Sequence, residues 1–407
     1  MGEYESNLQS AVECANVGDH ENAITYYLKA VERRWWCHHA LMGLAGSYTW
    51  LGRFREAIQV FIRSAACFPQ ELPDYFVLKN RVRTHILGSK DMALLNYMIH
   101  ALWVINRTLK YNFYASDFLS DMLMLKGDVA NALEKKYYAS ICHAAFSKAE
   151  DLSRFHKTSG KLPDFFVIGP QKTATTALYA FLSRSPSIYP AINKELFFFN
   201  GPMFKYGEEW YRCNFPAPAE GSSFLTGEAT ATYFHSPVAP ARIRAMVPDA
   251  KLIVTLRDPA ERAISSFYME KRQGREPRGL FEAMSAEIEF IESNELPPGG
   301  HPRGMFARDR VGQGGYVLFS FYEHFLRSYR KLFPQERLLV VNAEELRDSA
   351  ACGDRILHFL GADPPKGGNR DVVSTRNVGE YERGDEYLRT LALLREYFDA
   401  KRAYVFG

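Results

Sequence analysis

At 407 residues the chain is too long for one ordinary hydrophobic core, so two domains are expected. A hydrophobic fraction of 47% with 24% charged residues is that of soluble globular protein, and a formal net charge of only +3 excludes a strongly basic nucleic-acid binder or a polybasic membrane-surface protein. No run of about eighteen apolar residues occurs, so no spanning helix is predicted. The N-terminus, Met1-Gly2-Glu3-Tyr4-Glu5, is acidic and unlike a signal peptide; with Ser6 it meets only a permissive myristoylation pattern, and a plain start is the simpler reading. Six dispersed cysteines (Cys14, Cys37, Cys67, Cys142, Cys213 and Cys352) form no C-x-x-C pair. They suit buried thiols in a reducing compartment better than a disulfide frame or a zinc site.

The first part of the chain repeats. A glycine followed five residues later by alanine and an aliphatic occurs at Gly18…Ala23-Ile24, Gly52…Ala57-Ile58, Gly88…Ala93-Leu94 and Gly127…Ala132-Leu133. Between the first two copies Ala11 also matches Ala45, and Tyr27 matches Phe61. A period near 34 is the mark of stacked helical hairpins of the tetratricopeptide kind. The glycine is expected in the turn of each hairpin and the alanine where helices approach closely; Pro69 falls where a helix must stop. Such a stack offers a surface for a peptide or protein partner. Its aromatic residues (Trp35, Trp36, Tyr48, Trp50 and Trp103) are expected mostly to pack between helices, and His38-His39 to be local packing rather than a metal site. A linker over 154–163 separates this all-α helical-repeat domain, taken as 1–155, from a second domain over 163–407.

The second domain opens on an apolar run, Phe165 to Ile168, short enough to be a buried strand. Gly169-Pro170 breaks it, and Ala174 to Leu182 reads as a helix. Strand, tight loop and helix point backbone N–H groups and the positive end of a helix dipole at a phosphate. Lys172 adds a charge, and Thr173, Thr175 and Thr176 add hydroxyl donors. The order is not that of a nucleotide-triphosphatase loop, which carries a second glycine just before its lysine. Gly169-Pro170-Gln171-Lys172-Thr173-Ala174-Thr175-Thr176-Ala177-Leu178 instead resembles the 5′-phosphosulfate loop of the sulfotransferases that use 3′-phosphoadenosine 5′-phosphosulfate (PAPS), the heparan-sulfate N-sulfotransferase type above all. The competing reading is an ordinary strand–helix turn with a surface lysine.

Next comes Asn193-Lys194-Glu195-Leu196-Phe197-Phe198-Phe199-Asn200-Gly201. A glutamate beside a Phe-rich run suggests a carboxylate partly withdrawn from water and suited to taking a proton; a solvated Lys194–Glu195 pair at a strand start is the plainer alternative. With Glu208-Glu209-Trp210-Tyr211 the segment resembles the one carrying the catalytic glutamate of the family, which implies Glu195 as general base toward an acceptor hydroxyl or amine. Phe224 to Phe234 resembles a family segment in which a lysine follows the glutamate; here Ala229 follows Glu228. Either Lys194 or another cation, with His235 nearby, substitutes for it, or the acceptor differs from heparan-type sugars.

Lys251 to Leu256 is a second buried strand, ending in Arg257-Asp258-Pro259 before a helix from Ala260 to Glu270. Arg257 and Ser265, two helical turns apart, could reach one phosphate through a guanidinium fork and a hydroxyl. This pattern resembles the 3′-phosphate site of the family. Phe281 to Arg310 reads as a polar acceptor-side loop, Gly312 to Arg330 as a glycine-opened amphipathic helix, and Arg337 to Asn342 as a third buried strand; the segment at Gly312 resembles the one in the family that carries a tyrosine near nucleotide or acceptor, which implies that place for Tyr316. Ser374 to Tyr381 stands where the family closes a Lys-Gly loop over the adenine side, with Arg376 and Gly379 as candidates, and Arg395 to Phe406 reads as a terminal helix.

The expected fold is thus an α/β domain, a P-loop-like mostly parallel sheet covered by helices, preceded by helical repeats. The resemblance implies sulfuryl transfer from PAPS, as co-substrate, to a saccharide or glycoconjugate. Glu195 and Lys172 would be catalytic, while Gln171, Lys172, Thr173, Ala174, Thr175, Thr176, Arg257, Ser265, Tyr316, Arg376 and Gly379 would hold the nucleotide without a metal. The animal relatives are membrane-anchored in the Golgi; this chain shows no anchor and is expected in the cytoplasm. Two rivals are an adaptor with a non-catalytic sulfotransferase domain, suggested by Ala229, and a nucleotide kinase with a variant loop.

Overall fold

The computed structural model describes residues 2–67, 75–109, 112–272, 274–293, 315–348, 350–366 and 383–401. Pro69, the segment 294–314, Arg376 with Gly379, and the chain end after 401 lie outside the described residues. The chain divides within the linker into two compact units, Met1–Gly160 and Lys161–Gly407.

The first unit has eight described helices, α1 (Glu3–Asn16), α2 (His20–Arg33), α3 (His38–Trp50), α4 (Phe54–Cys67), α5 (Tyr75–Ser89), α6 (Met92–Thr108), α7 (Phe113–Lys126) and α8 (Val129–Lys148), joined in pairs by short turns. Gly18, Gly52 and Gly127 take φ of +83°, +74° and +91° in those turns, a conformation that costs glycine little. The third pair departs from the sequence expectation. Gly88 lies inside α5, and Lys90, at φ +56°, makes the left-handed turn. Five residues beyond the turn the buried position is Ala23, Ala57 and Ala132 in three pairs but Leu95 in this one, while Ala93 is exposed. The third copy therefore runs two residues later than its Gly-Ala pattern. An acid marks it: Asp19 and Asp91 each follow the left-handed residue and cap the next helix, accepting the N–H of Asn22 at 3.2 Å and of Leu94 at 2.8 Å.

Tyr48 is buried and Trp103 half-buried, whereas Trp35, Trp36 and Trp50 are exposed, contrary to expectation. They sit between α2 and α3 or at the end of α3, and the Arg63 and Arg81 guanidinium groups cover the Trp35 and Trp50 rings at 5.9 and 4.4 Å. Inside the unit, Asp117 and Asp121 of α7 lie among Lys79 and Arg83 of α5 and Lys136 of α8.

The second unit contains β1 (Phe165–Gly169), α9 (Thr175–Ser183), β2 (Ile188–Pro190), α10 (Gly207–Arg212), β3 (Leu225–Ala229), α11 (Ala239–Met246), β4 (Lys251–Leu256), α12 (Pro259–Arg272), α13 (Leu280–Glu292), α14 (Tyr322–Leu332), β5 (Leu338–Asn342), α15 (Glu345–Asp348), α16 (Ala350–Leu360) and α17 (Asp385–Ala400). The described strands form one sheet in the order β2-β3-β1-β4-β5 with every pairing parallel. Central β1 is buried at all its positions, which is why it reads as an unbroken apolar run. Phe165 and Val167 pack with Leu178, Phe181 and Leu182 of α9 and with Ile356 and Leu357 of α16. The parallel register puts Gly169, Ala229 and Leu256 at one edge of the sheet, where ligands bind in such folds.

Three expectations are corrected. The stretch from Phe281 begins not as a loop but as α13, which buries Leu280, Ala283, Met284, Glu287 and Ile291 at helical spacing behind a polar face. The helix expected from Gly312 starts only at Tyr322, because Gly315 at φ +81° leads first into a 3-10 turn, Leu318–Ser320. The terminal helix begins at Asp385 rather than Arg395, burying Tyr387, Thr390, Leu394 and Phe398.

Candidate active site

The loop between β1 and α9 is shaped by backbone constraints. At Gly169, φ +98°, a Cβ would lie 2.3 Å from the carbonyl oxygen of Ala231, so only glycine fits. Lys172 and Ala174 are also left-handed, at φ +71° and +67°, and Ala174 enters α9 without a side-chain cap. That leaves the first-turn N–H groups of α9, at Thr175 and Thr176, without an intrahelical partner. Thr176 is exposed and Thr175 buried. The Thr173 hydroxyl is engaged within the protein: fully buried, it donates to Pro170 O at 2.6 Å and meets Thr255 Oγ1 of β4 at 2.8 Å, pinning the loop to the sheet. Gln171 lies half-buried in the same loop.

Burial, and then the charges of Arg272, Arg257 and Arg262, hold the Lys172 ammonium below its ordinary pKa. Among the described residues no carboxylate forms an ion pair with Lys172 or Arg272. Arg257 follows β4, and Asp258 Oδ1 accepts the Glu261 N–H at 2.7 Å to start α12. Arg257 reaches Glu261 only at 3.6 Å, and Ser265 lies half-buried two turns into α12. Sequence reasoning missed Arg272 and Arg262. Arg272 closes α12 seven residues, two turns, after Ser265 and so shares its face, a spacing that was readable. Arg262 is fully buried, and its guanidinium donates to Ser320 Oγ at 2.7 Å and to the Gly315 and Tyr316 carbonyls.

Tyr316, expected near the ligand, is buried, and its hydroxyl donates to Glu276 Oε2 at 2.9 Å. Its turn is held from the other side by Glu287, which accepts the N–H groups of Tyr316, Val317 and Leu318 at 2.8, 3.0 and 3.0 Å. Tyr316 thus shapes the wall behind α12. α17 approaches the Arg257 turn through Tyr387, whose hydroxyl donates to Glu261 at 2.8 Å.

Glu195 lies in the irregular segment between β2 and α10, just before a turn at 198–200, not at a strand start. Its Oε1 pairs with Lys194 Nζ at 2.5 Å, its Oε2 accepts the Ala231 N–H at 3.2 Å, and its own N–H donates to Ala229 O at 2.9 Å. Both side chains are about three-quarters buried, at 24% and 21% exposure, so the pair is not a solvated surface one. Ala231 is the hinge of the site: its N–H holds Glu195 while its carbonyl closes on Gly169. Immediately after the 3-10 turn that follows β3, Ala231–Tyr233, the chain returns to the end of β1, with Phe234 N–H donating to Ile168 O at 3.0 Å. Ala229 is fully buried in the sheet core, so the cation beside Glu195 is Lys194. The His235 ring is buried and stacks on Phe319 at 3.8 Å. Among the described residues no three His, Cys, Asp or Glu side chains are placed to hold a metal ion.

Comparison with known proteins bears on this geometry. The chain is 34% identical over 250 residues to bifunctional heparan sulfate N-deacetylase/N-sulfotransferase 2 of Bos taurus, covering 60% of this chain and 27% of that protein. To its Homo sapiens counterpart it is 34% identical over 221 residues, 53% of this chain and 24% of that one. It is 35% identical over 195 residues to the type 1 enzyme of Caenorhabditis elegans, 47% and 21% of the two chains. The chain thus spans only about a quarter of the length of these relatives. A crystal structure of a sulfotransferase from Alicyclobacillus acidocaldarius aligns at 25% identity and a TM-score of 0.40, covering 59% of this chain and 96% of that one. The sulfotransferase domain family matches residues 162–381, more than half of the chain and the whole stretch that carries the loop, Glu195 and Arg257, and to that family the chain belongs.

Proposed function

We propose that the second unit transfers a sulfuryl group from PAPS to a hydroxyl or amine of a saccharide or glycoconjugate. The observation that carries this is the shared contact at Ala231, which sets the Glu195 carboxylate beside the phosphate loop. PAPS, when bound, supplies the sulfuryl group and a bisphosphate leaving nucleotide. The residues fit such an anion: an uncapped helix start and the charges of Lys172, Arg257 and Arg272 converge, with no ion-paired carboxylate among the described residues on Lys172 or Arg272. Loop amides and Thr175 and Thr176 hold the 5′-phosphate, and Arg257 with Ser265 holds the 3′-phosphate through a fork and a hydroxyl. Lys172 neutralises charge growing on the leaving oxygen. Glu195 takes the acceptor proton, and Lys194 orients its carboxylate.

The relatives' names supply the acceptor class, heparan sulfate N-sulfotransferase being what those proteins are called. The first unit we read as tetratricopeptide-like repeats that engage a peptide or protein, in a chain that works in the cytoplasm. Transfer of radiolabelled sulfate from PAPS to N-desulfated heparan-type polysaccharide tests the function. Label appearing on the polysaccharide with wild type and not with Glu195→Gln supports it; no label with wild type contradicts the saccharide reading.

A further inference from the structure

We propose that Glu228 is the positioning residue of this site: a fully buried carboxylate that fixes the segment carrying Glu195 and the turn just after it through two tyrosine hydroxyls. The proposal rests on the reading of Glu195 as the base toward the acceptor.

This segment needs an anchor. Glu195 and Phe197 lie at φ +61° and +51°, two non-glycine residues in the left-handed region within three positions. Each is disfavoured, and such backbone persists only where its surroundings over-determine it. What holds it is polar and buried. The Tyr233 hydroxyl accepts the N–H groups of Phe198 at 3.0 Å and Phe199 at 3.3 Å, which occupies its lone pairs. Its own proton therefore needs an acceptor, and Glu228 Oε1 stands at 3.1 Å. The Tyr211 hydroxyl donates to the same oxygen at 2.5 Å, and the Tyr211 ring stacks on Phe198 with centroids 4.4 Å apart. Thr230 Oγ1 donates to Oε2 at 2.6 Å. Glu228 thus ties β3 to the turn through Tyr233 and to α10 through Tyr211, while the next residues of its own strand end, Ala229 and Ala231, bond Glu195 itself.

Glu228 is 0% exposed, so it touches no substrate and acts only through these partners. Burial pushes its carboxyl up to about 7 against the hydrogen bonds of Thr230, Tyr211 and Tyr233, and the charge of Glu195 adds to the rise.

The test compares Tyr233→Phe, Glu228→Ala and Glu228→Gln in the full chain. The first removes the acceptor of the two amides, the second removes the hub, and the third keeps an acceptor oxygen for the tyrosines. Amide exchange at Phe198 and Phe199 is the first readout and needs no substrate. Exchange should quicken about tenfold or more in Tyr233→Phe and Glu228→Ala, in line with losing a hydrogen bond to a buried group, and stay near wild type in Glu228→Gln. With N-desulfated heparan-type polysaccharide as acceptor, kcat should fall about tenfold or more in the first two while the KM for PAPS stays within about twofold, and Glu228→Gln should restore most of kcat. Unchanged exchange overturns the proposal. So does loss of nucleotide affinity in step with kcat, or a Glu228→Gln protein as poor as Glu228→Ala. A wild-type protein inert toward the polysaccharide contradicts the functional reading instead, and the exchange data still decide the role of Glu228.

Discussion

In the helical unit Asp117 and Asp121 lie between Lys79, Lys136 and Arg83, and every carboxylate oxygen meets a cation. In the α/β unit Lys172 is set beside Arg257, Arg262 and Arg272, and among the described residues no carboxylate pairs with it. Burial pushes the Asp117 carboxyl up, but the Lys136 and Lys79 charges and hydrogen bonds more than reverse it. Around Lys172 burial and like charge act together, and the ammonium is destabilised. A charge set neutralised from within needs nothing from solution; one left cationic is completed by an anion from outside. The contrast separates a structural device from the proposed anion site without reference to any relative.

Substitutions can break that contrast, and the largest effect is expected at the site. Glu195→Gln should lower turnover by about 10²–10⁴-fold, the range for a lost general base, with nucleotide affinity near wild type; transfer kinetics and calorimetry read the two separately. Lys172→Ala should cost about 10²–10³-fold in kcat, as for a lost charge-stabilising donor, with an unchanged circular dichroism spectrum. In the helical unit Asp117→Asn strands buried lysines and should destabilise by about 3–5 kcal/mol in denaturant unfolding, leaving nucleotide binding alone. Its pH dependence follows from the lowered pKa. The contribution of Asp117 is present above the ordinary value of 3.8 and is lost as pH falls through the lower folded-state value, so Asp117→Asn should flatten the acid limb of stability. Arg272 is exposed, and Arg272→Ala should weaken nucleotide binding only about two- to fivefold, more at low salt than high.

How much of this was legible depended on whether the cause was local. The β1 strand, the tight turn after it and the α12 helix are local, because a buried central strand must be apolar and a turn this close to Ala231 needs its glycine, so these could be read directly. Pro259 marked the start of α12 for the same reason. Glu287 hid α13, since a glutamate inside the apolar stripe looks polar until its three backbone donors from Tyr316 to Leu318 are seen. Lys90 hid the third hairpin turn behind Gly88, a nearby glycine with the wrong register. Tyr316 was placed by resemblance in a segment whose hydroxyl partner, Glu276, is forty residues away. Glu228 was passed over for its neighbour Ala229, because its partners Tyr211, Thr230 and Tyr233 come from both sides of β3 and meet only in the fold.

The most direct test of the unmatched charge as a nucleotide site is calorimetric titration of the full chain with adenosine 3′,5′-bisphosphate, with ADP as comparator. A charge-assisted hydrogen bond contributes roughly 1.5–3 kcal/mol, so the 3′-phosphate should tighten binding at least about tenfold, and Arg257→Ala should erase the preference. Equal binding of the two nucleotides, or binding of neither, would contradict the account.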